Sequence, residues 1–541
     1  MLPEDEAHLA AELTEILRTP SGEQRLRGVQ ARALIEIAEH GGAFVPVRVA
    51  GGKTLISLLA PRVLPERAAR PLLLVPAALE EKTRRAHRAL SVHWQIPGFY
   101  RILTYQRLGQ RDGAKILGQF APTMIVADEA HYLKNTRAGV TKVVGAWMRH
   151  APSTAFVALT GTVSKRSILD FAHVAQWALR LGTPVPVDFH AVRSWANVLD
   201  ERRRKDDEDE PEVGALEALM DPAELEAKDV NAARSAFRRR FVSCPGIVTA
   251  AEPPVDLPVI VEALSPEVPA EIRHAQQRIR DTWETPDGEI FEEAVALWRH
   301  NRELARGFCY VWDPPPPLEW KIARRAYRKA VQEILRENRR GLHVPSAVVD
   351  AIREGHYPHA VGALAEWERI RDSFVPRTRA VWLSDYAVRA VADHLAREPA
   401  PALVWVEHRE LGEALATATG APFYSREARD RRGRSIMDHH RGHAIASIHS
   451  VKEGFDLQRQ FSRLVYVAAP TTAVAVEQTI GRVRREGQPA DEIRARWFLA
   501  CPEDWIALDG ALKDAQFTAS TLGQDQAILS ADFAFPLPSQ S

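Results

Sequence analysis

The sequence predicts an α/β protein of two parallel-sheet lobes with a mainly helical insertion between them. Three observations predict it. Two sets of short apolar runs occur, each run followed by a turn and then helical sequence. The stretch between the sets is helical and rich in aromatics. The length of 541 residues exceeds what one hydrophobic core supports.

Taken in order, residues 1–23 read as an N-terminal helical segment. Residues 24–265 read as the first lobe, with apolar runs at 43–49, 71–75, 124–127 and 154–159. Such short, unbroken runs suit strands buried on both faces of a parallel sheet. A charged insertion is expected at about 190–236; its run 201–212 reads as a solvated loop or helix end. Residues 266–376 form the insertion, where Trp320, Ala323, Tyr327, Val331 and Ile334 share one helical face. Asp313-Pro314-Pro315-Pro316-Pro317 must end any helix before it. The second lobe, 377–513, carries runs at 402–406, 444–448, 463–467 and 495–499. The tail, 514–541, ends in Pro, Ser and Gln and is expected to be partly disordered.

Lysine plus arginine equals aspartate plus glutamate at 71 each, which argues against a passive nucleic-acid coat but leaves room for a local basic groove. Cys244, Cys309 and Cys501 lie too far apart for a zinc module or a disulfide framework. The acidic start, Met1-Leu2-Pro3-Glu4-Asp5-Glu6, is unlike a signal peptide, and no apolar run nears the roughly 18 residues of a membrane span. The expectation is a soluble, intracellular protein with no membrane partner.

Ala50-Gly51-Gly52-Lys53-Thr54 follows the first apolar run, reading as strand, loop and helix N-terminus. Backbone N–H groups there can surround phosphate oxygens, Lys53 adds a point charge, and the Thr54 hydroxyl can ligate Mg²⁺. The bland alternative is an ordinary glycine turn, and Val47 stands where the full pattern has its first glycine. Asp128-Glu129 closes another run, at the strand end where α/β sheets bind ligands. Asp128 would hold Mg²⁺ through water, and Glu129 would orient and deprotonate an attacking water; the alternative is an acidic helix start. Thr160-Gly161-Thr162 offers two hydroxyls for a relay to that pair, or simply a turn. Arg482 and Arg485, three apart on an expected helix, present two permanent charges on one face, unless that face is merely solvated. A phosphate cradle, an acidic pair and a remote arginine pair are the parts needed to split a nucleoside triphosphate.

In this order the segments resemble the superfamily-two helicases, and most closely their Swi/Snf-type DNA translocases. The likeness runs from about residue 25 to 499. Leu26-Arg27-Gly28-Val29-Gln30 resembles the segment whose glutamine reads adenine, and Leu72-Leu73-Leu74-Val75-Pro76-Ala77 the strand and loop that touch nucleic-acid phosphates. Ile102-Leu103-Thr104-Tyr105, Asp128 through Asn135 and Phe237-Arg238-Arg239-Arg240-Phe241 are similar to the Swi/Snf versions. Ser450 through Leu457 resembles the motif coupling nucleic acid to ATP, and Gln478 through Gln488 is the most specific match. Ala50, Arg48, Val163 and Arg166 depart from the pattern; the last two replace a proline and an asparagine.

The resemblance implies two RecA-like lobes using ATP and Mg²⁺. Nucleotide contacts would come from Gln30, Ala50, Gly51, Gly52, Lys53, Thr54, Thr160, Thr162, Gly454, Asp456 and Gln478, with Mg²⁺ at Thr54 and Asp128. Catalysis would rest on Lys53, Glu129, Arg482 and Arg485, the arginines reaching the γ-phosphate from the second lobe. Residues 298–320 are similar to an insertion of phage and bacterial relatives, which implies the cytoplasm of a bacterial or phage-infected cell. The expected partner is DNA, duplex favoured. The alternatives are an RNA-directed ATPase in the same fold and an ATP-gated DNA clamp that recruits protein partners.

Other segments have blander readings. Asp438-His439-His440-Arg441-Gly442-His443 reads as a solvated loop and not a metal site. The aromatic stripe of the insertion reads as core packing. Of two basic runs, 82–88 could equally track phosphates or face solvent, and 324–329 is expected to be a solvated face.

Overall fold

Five parallel strands build the first sheet: β1 (Ala43–Val45), β2 (Pro71–Val75), β3 (Arg101–Thr104), β4 (Met124–Asp128) and β5 (Ala155–Leu159), in the order β1-β5-β4-β2-β3. The structure is a computed structural model that describes residues 3–48, 51–161, 166–200, 213–249, 255–291, 293–337, 342, 345–451 and 454–537. Every residue of β2, β4 and β5 is buried, because helices cover both faces. Alternate residues feed two cores. Leu72, Leu74, Ile125, Ala127, Phe156 and Ala158 pack with Val144, Val174 and Phe241 on one face. Leu73, Val75, Val126, Val157 and Leu159 pack with Leu34, Ile37 and Leu58 on the other.

The second sheet contains β6 (Val259–Leu264), β9 (Ala402–Val406), β10 (Phe423–Tyr424), β11 (Ala444–Ser447), β12 (Arg463–Tyr466), β13 (Ile493–Phe498) and β14 (Asp532–Phe533). Their order is β10-β11-β9-β12-β13-β6-β14, again parallel. Between β6 and β9 in the chain, β7 (Phe308–Trp312) and β8 (Thr378–Trp382) pair antiparallel as a separate ribbon. Two parallel-sheet lobes with many helices are therefore present.

The chain divides into two compact units, Met1–Pro254 with Lys513–Leu529, and Val255–Leu512 with Ser530–Ser541. This differs from the expected boundaries in three ways. The strand β6 pairs with β13 over six residues, so the second lobe begins before residue 265. Part of the front of the expected insertion belongs to that lobe, since Ile272 and Phe308 share its core with Val404 and Val465; Ile279, Phe291, Leu304 and Cys309 form a small core of their own, as do the helices from Leu318 to Ile370. The tail carries regular structure: the helix Pro502–Leu522 passes Asp514, and β14 adds an edge to the sheet. Phe517 and Leu522 explain this, because both are fully buried in the core of the first unit.

Of the expected charged insertion, 201–212 lies outside the described residues, while the helices Phe189–Leu199 and Val230–Val242 supply Val192, Leu199, Phe237 and Phe241 to the core. Among the described residues, no helix is long and apolar enough to cross a membrane.

Candidate active site

The expected phosphate loop falls between β1 and the helix Lys53–Val63. Gly52 adopts φ +76°, a left-handed conformation that glycine reaches without steric cost. A Cβ there would lie 2.2 Å from Gln30 Nε2, and one on Gly51 would lie 2.2 Å from Val47 Cγ1. Both positions therefore require glycine, because the Gln30 and Val47 side chains already pack against the backbone there. Lys53 is buried, and its ammonium donates to the carbonyls of Val47 (3.1 Å) and Arg48 (3.2 Å). Gln30 accepts from the Arg27 amide at 2.9 Å and donates to Gly52 O at 3.2 Å, so the residue expected to read adenine is bonded to the glycine before Lys53. Thr54 sits in the first turn of the helix. Ala50 and Thr162 lie outside the described residues.

The acidic pair arises at the end of β4. Asp128 is buried; its Oδ1 accepts the Glu129 amide at 3.1 Å, and its carbonyl accepts the Tyr105 hydroxyl at 2.7 Å. Burial and, after it, the charge of Glu129 push the Asp128 carboxyl up to about 7, while Lys53 and Lys82 pull the other way. Glu129 takes φ +55°, uncommon for a residue with a side chain and costing on the order of 1 kcal/mol or more. That turn directs its carboxylate to two partners: Oε1 lies 3.7 Å from Lys53 Nζ, and Oε2 lies 3.2 Å from His131 Nδ1. The Asp128 carboxylate and Thr54 hydroxyl are hard oxygen donors of the kind Mg²⁺ takes, and the cradle with Lys53 suits the phosphates of ATP.

Thr160 is buried, and its amide donates to Val45 O at 3.2 Å, tying the loop after β5 to the end of β1. A small cavity lined by His131, Thr160, Asp170 and Phe44 joins this loop to the acidic one. Tyr132 stacks on Tyr105 with ring centres 5.2 Å apart.

In the second unit the arginine pair is not on a helix. The helix Ala473–Ile480 stops before Gly481, a poor helix residue, and Arg482 and Arg485 lie in the turns that follow. Folding nevertheless brings them together. Arg482 donates to Gln478 O at 2.9 Å and to Phe455 O at 3.2 Å, while Arg485 donates to Phe455 O at 3.4 Å and pairs with Asp456. Gly454, at φ +81°, turns the loop that carries these acceptors. Gln488 donates to Phe461 O and Val483 O, bracing the turns.

The remaining candidates resolve individually. On the helix Glu80–Leu90, Arg84 pairs with Glu80, and Arg85 and Arg88 face Glu81, so part of that basic charge is matched locally. His439 is not in a solvated position as expected: it is buried, meets the Tyr424 hydroxyl at 3.1 Å and stacks on Phe461. Trp320 is buried against Trp367 and Phe374, and Arg324 of the second basic run lies over its ring. Sequence reasoning assigned no role to Tyr105 or His131, although both stand inside quoted motifs; their contacts to the acidic pair depend on side-chain direction. No family model matches this chain, and no curated protein matches it significantly.

Proposed function

We propose that this chain is a nucleic-acid-stimulated ATPase of the superfamily-two type, resembling the Swi/Snf branch, that couples ATP hydrolysis to movement on DNA. One observation carries the reading: Lys53, which opens the helix after β1, and Glu129, which follows β4, face each other across 3.7 Å with both side chains largely shielded from solvent. Neither a plain glycine turn nor an acidic helix start calls for that pairing. A phosphate-binding lysine beside a water-orienting carboxylate does.

Lys53 and the glycine cradle would bind the outer phosphates. Thr54 and Asp128 would hold Mg²⁺, which supplies charge neutralisation at the phosphates. Glu129 would orient a water and accept its proton, with His131 and Lys53 fixing the carboxylate. Arg482 and Arg485 would supply charge to the transition state. Nucleic-acid contacts would go mainly to phosphates and sugars, giving little sequence preference, in a cytoplasmic setting. Steady-state ATPase assays with single-stranded DNA, duplex DNA and RNA test the proposal. Stimulation by duplex DNA is expected; stimulation by RNA alone transfers the reading to an RNA-directed enzyme, and nucleotide binding without turnover transfers it to a clamp.

A further inference from the structure

The last long helix of the chain carries a buried carboxylate in each unit. In the second unit Asp504 accepts from Arg306 at 2.7 and 2.9 Å and from Arg302 at 3.3 Å. In the first unit Asp514, also buried, pairs with Arg166. Arg166 ends the segment that begins with Thr160 and Gly161 after β5, and it stands where the related pattern has asparagine.

Beyond Asp514 the chain is built into the first unit. Phe517 lies fully buried beneath the Arg234 guanidinium, 5.7 Å from its ring centre. The helix ends before Gly523, whose φ of +67° is strained for any other residue and whose neighbours Val242 and Arg238 leave little room for a side chain. The next residue, Gln524, is buried and donates its amide to Pro46 O. Pro46 directly follows β1, and the next two carbonyls, of Val47 and Arg48, are the acceptors of Lys53. The strands β1 and β5 are neighbours in the sheet. One C-terminal segment therefore bonds both to Pro46, directly after β1, and to Arg166, in the chain after the neighbouring β5.

We infer that Gln524 and Asp514 are positioning residues of this site: Gln524 fixes the backbone at Pro46, next to the carbonyls that receive Lys53, and Asp514 fixes Arg166. The inference rests on the ATPase reading above. Packing alone would have been met by apolar side chains; a buried amide on Pro46 O and a buried carboxylate on Arg166 fix those two positions by directional bonds.

The test separates kcat from KM for Mg·ATP in the full chain, with melting measured alongside. Gln524→Met keeps length and volume but removes the donor, and is expected to raise KM on the order of 5-fold with kcat largely kept. Asp514→Asn and Arg166→Ala are expected to lower kcat several-fold with KM kept, and the double variant to be no worse than either single one. A purely structural role would lower the melting temperature while leaving both KM and kcat of the folded enzyme untouched. If Gln524→Met does not fold, Arg166→Ala, a partly exposed side chain, decides by its own KM and kcat. Unaltered constants in these variants beside an active wild type overturn the inference and leave the ATPase reading standing. A wild-type chain that neither binds nor hydrolyses ATP overturns both.

Discussion

Arg482 and Arg485 donate to the same carbonyl oxygen, that of Phe455, at 3.2 and 3.4 Å. Asp456 pairs with Arg485, and Gln478 O accepts from Arg482, so other donors of both forks are also engaged. Two rigid forks held side by side suit an oxyanion that gains charge during reaction.

Arg482→Ala and Arg485→Ala are therefore expected to lower kcat on the order of 10³-fold or more while changing ATP affinity far less. Stopped-flow turnover beside calorimetric ATP binding checks this. Lost affinity with unchanged saturated turnover would make them ground-state binders and not transition-state residues.

Lys53→Ala is expected to abolish turnover, because the phosphates lose their fixed charge and the carbonyls of Val47 and Arg48 lose their donor. Glu129→Gln is expected to bind ATP and fail to hydrolyse it, since an amide cannot take the water's proton. Near-normal steady-state rates in either variant would remove that residue from the mechanism.

Duplex DNA is expected to stimulate ATP turnover, with apparent affinity falling roughly 10-fold or more between 50 and 200 mM salt. Exchanging base composition at constant length is expected to matter little. Titrations of ATPase rate against several duplexes decide; strong preference for one sequence contradicts the translocase reading.

Trp320→Ala is expected to cost about 3–5 kcal/mol locally as a large-to-small core change. The side chain is 3% exposed, meets Trp367 and Phe374 edge-on, and donates to Arg371 O at 3.2 Å. The ATP site is expected to survive, because the first unit has its own cores. Unchanged melting with lost DNA stimulation would instead assign this ring to a ligand.

Asp200 gives a pH signature. Burial first, with Asp170 adding, pushes its carboxyl up to about 7, against the pull of Ser167, the Ile168 amide and Arg234. Between its ordinary value of 3.8 and about 7 the folded chain holds a proton that the unfolded chain has released. Stability therefore falls as pH rises through that window, and the loss is complete above it. Asp200→Asn is expected to gain on the wild type across this range by about 1–3 kcal/mol. Melting curves at pH 5 and pH 8 test it; a constant offset between the two proteins would refute the assignment.

The strands with unbroken apolar runs were legible at nearly residue resolution: β2 spans 71–75 and β9 spans 402–406 as expected. Shorter or more polar strands were not. The strand β3 has an exposed Arg101 and β10 has two residues, so neither carries an apolar run long enough to read. The expected helical stripe is real, with Trp320, Ala323, Val331 and Ile334 buried on Leu318–Glu337. The turn that holds Arg482 and Arg485 was read as helix because its spacing fits one; Gly481 and the Phe455 carbonyl decided otherwise.

By itself the sequence determined what depends on neighbours along the chain: two α/β lobes, the glycine loop before Lys53, the acidic strand end at Asp128 and Glu129, and the amphipathic face of the insertion. Local sterics and the alternation of apolar residues act over a few positions, so they can be read from a few positions. Only the tertiary structure decided that β6 joins the second sheet, that Lys53 meets Glu129, and that the C-terminal segment returns to the first unit. Gln524 and Pro46 are 478 positions apart, and Arg166 and Asp514 are 348 apart. No periodicity or propensity encodes such pairs. They form because buried donors, acceptors and charges must find partners wherever the packing of the whole chain presents them.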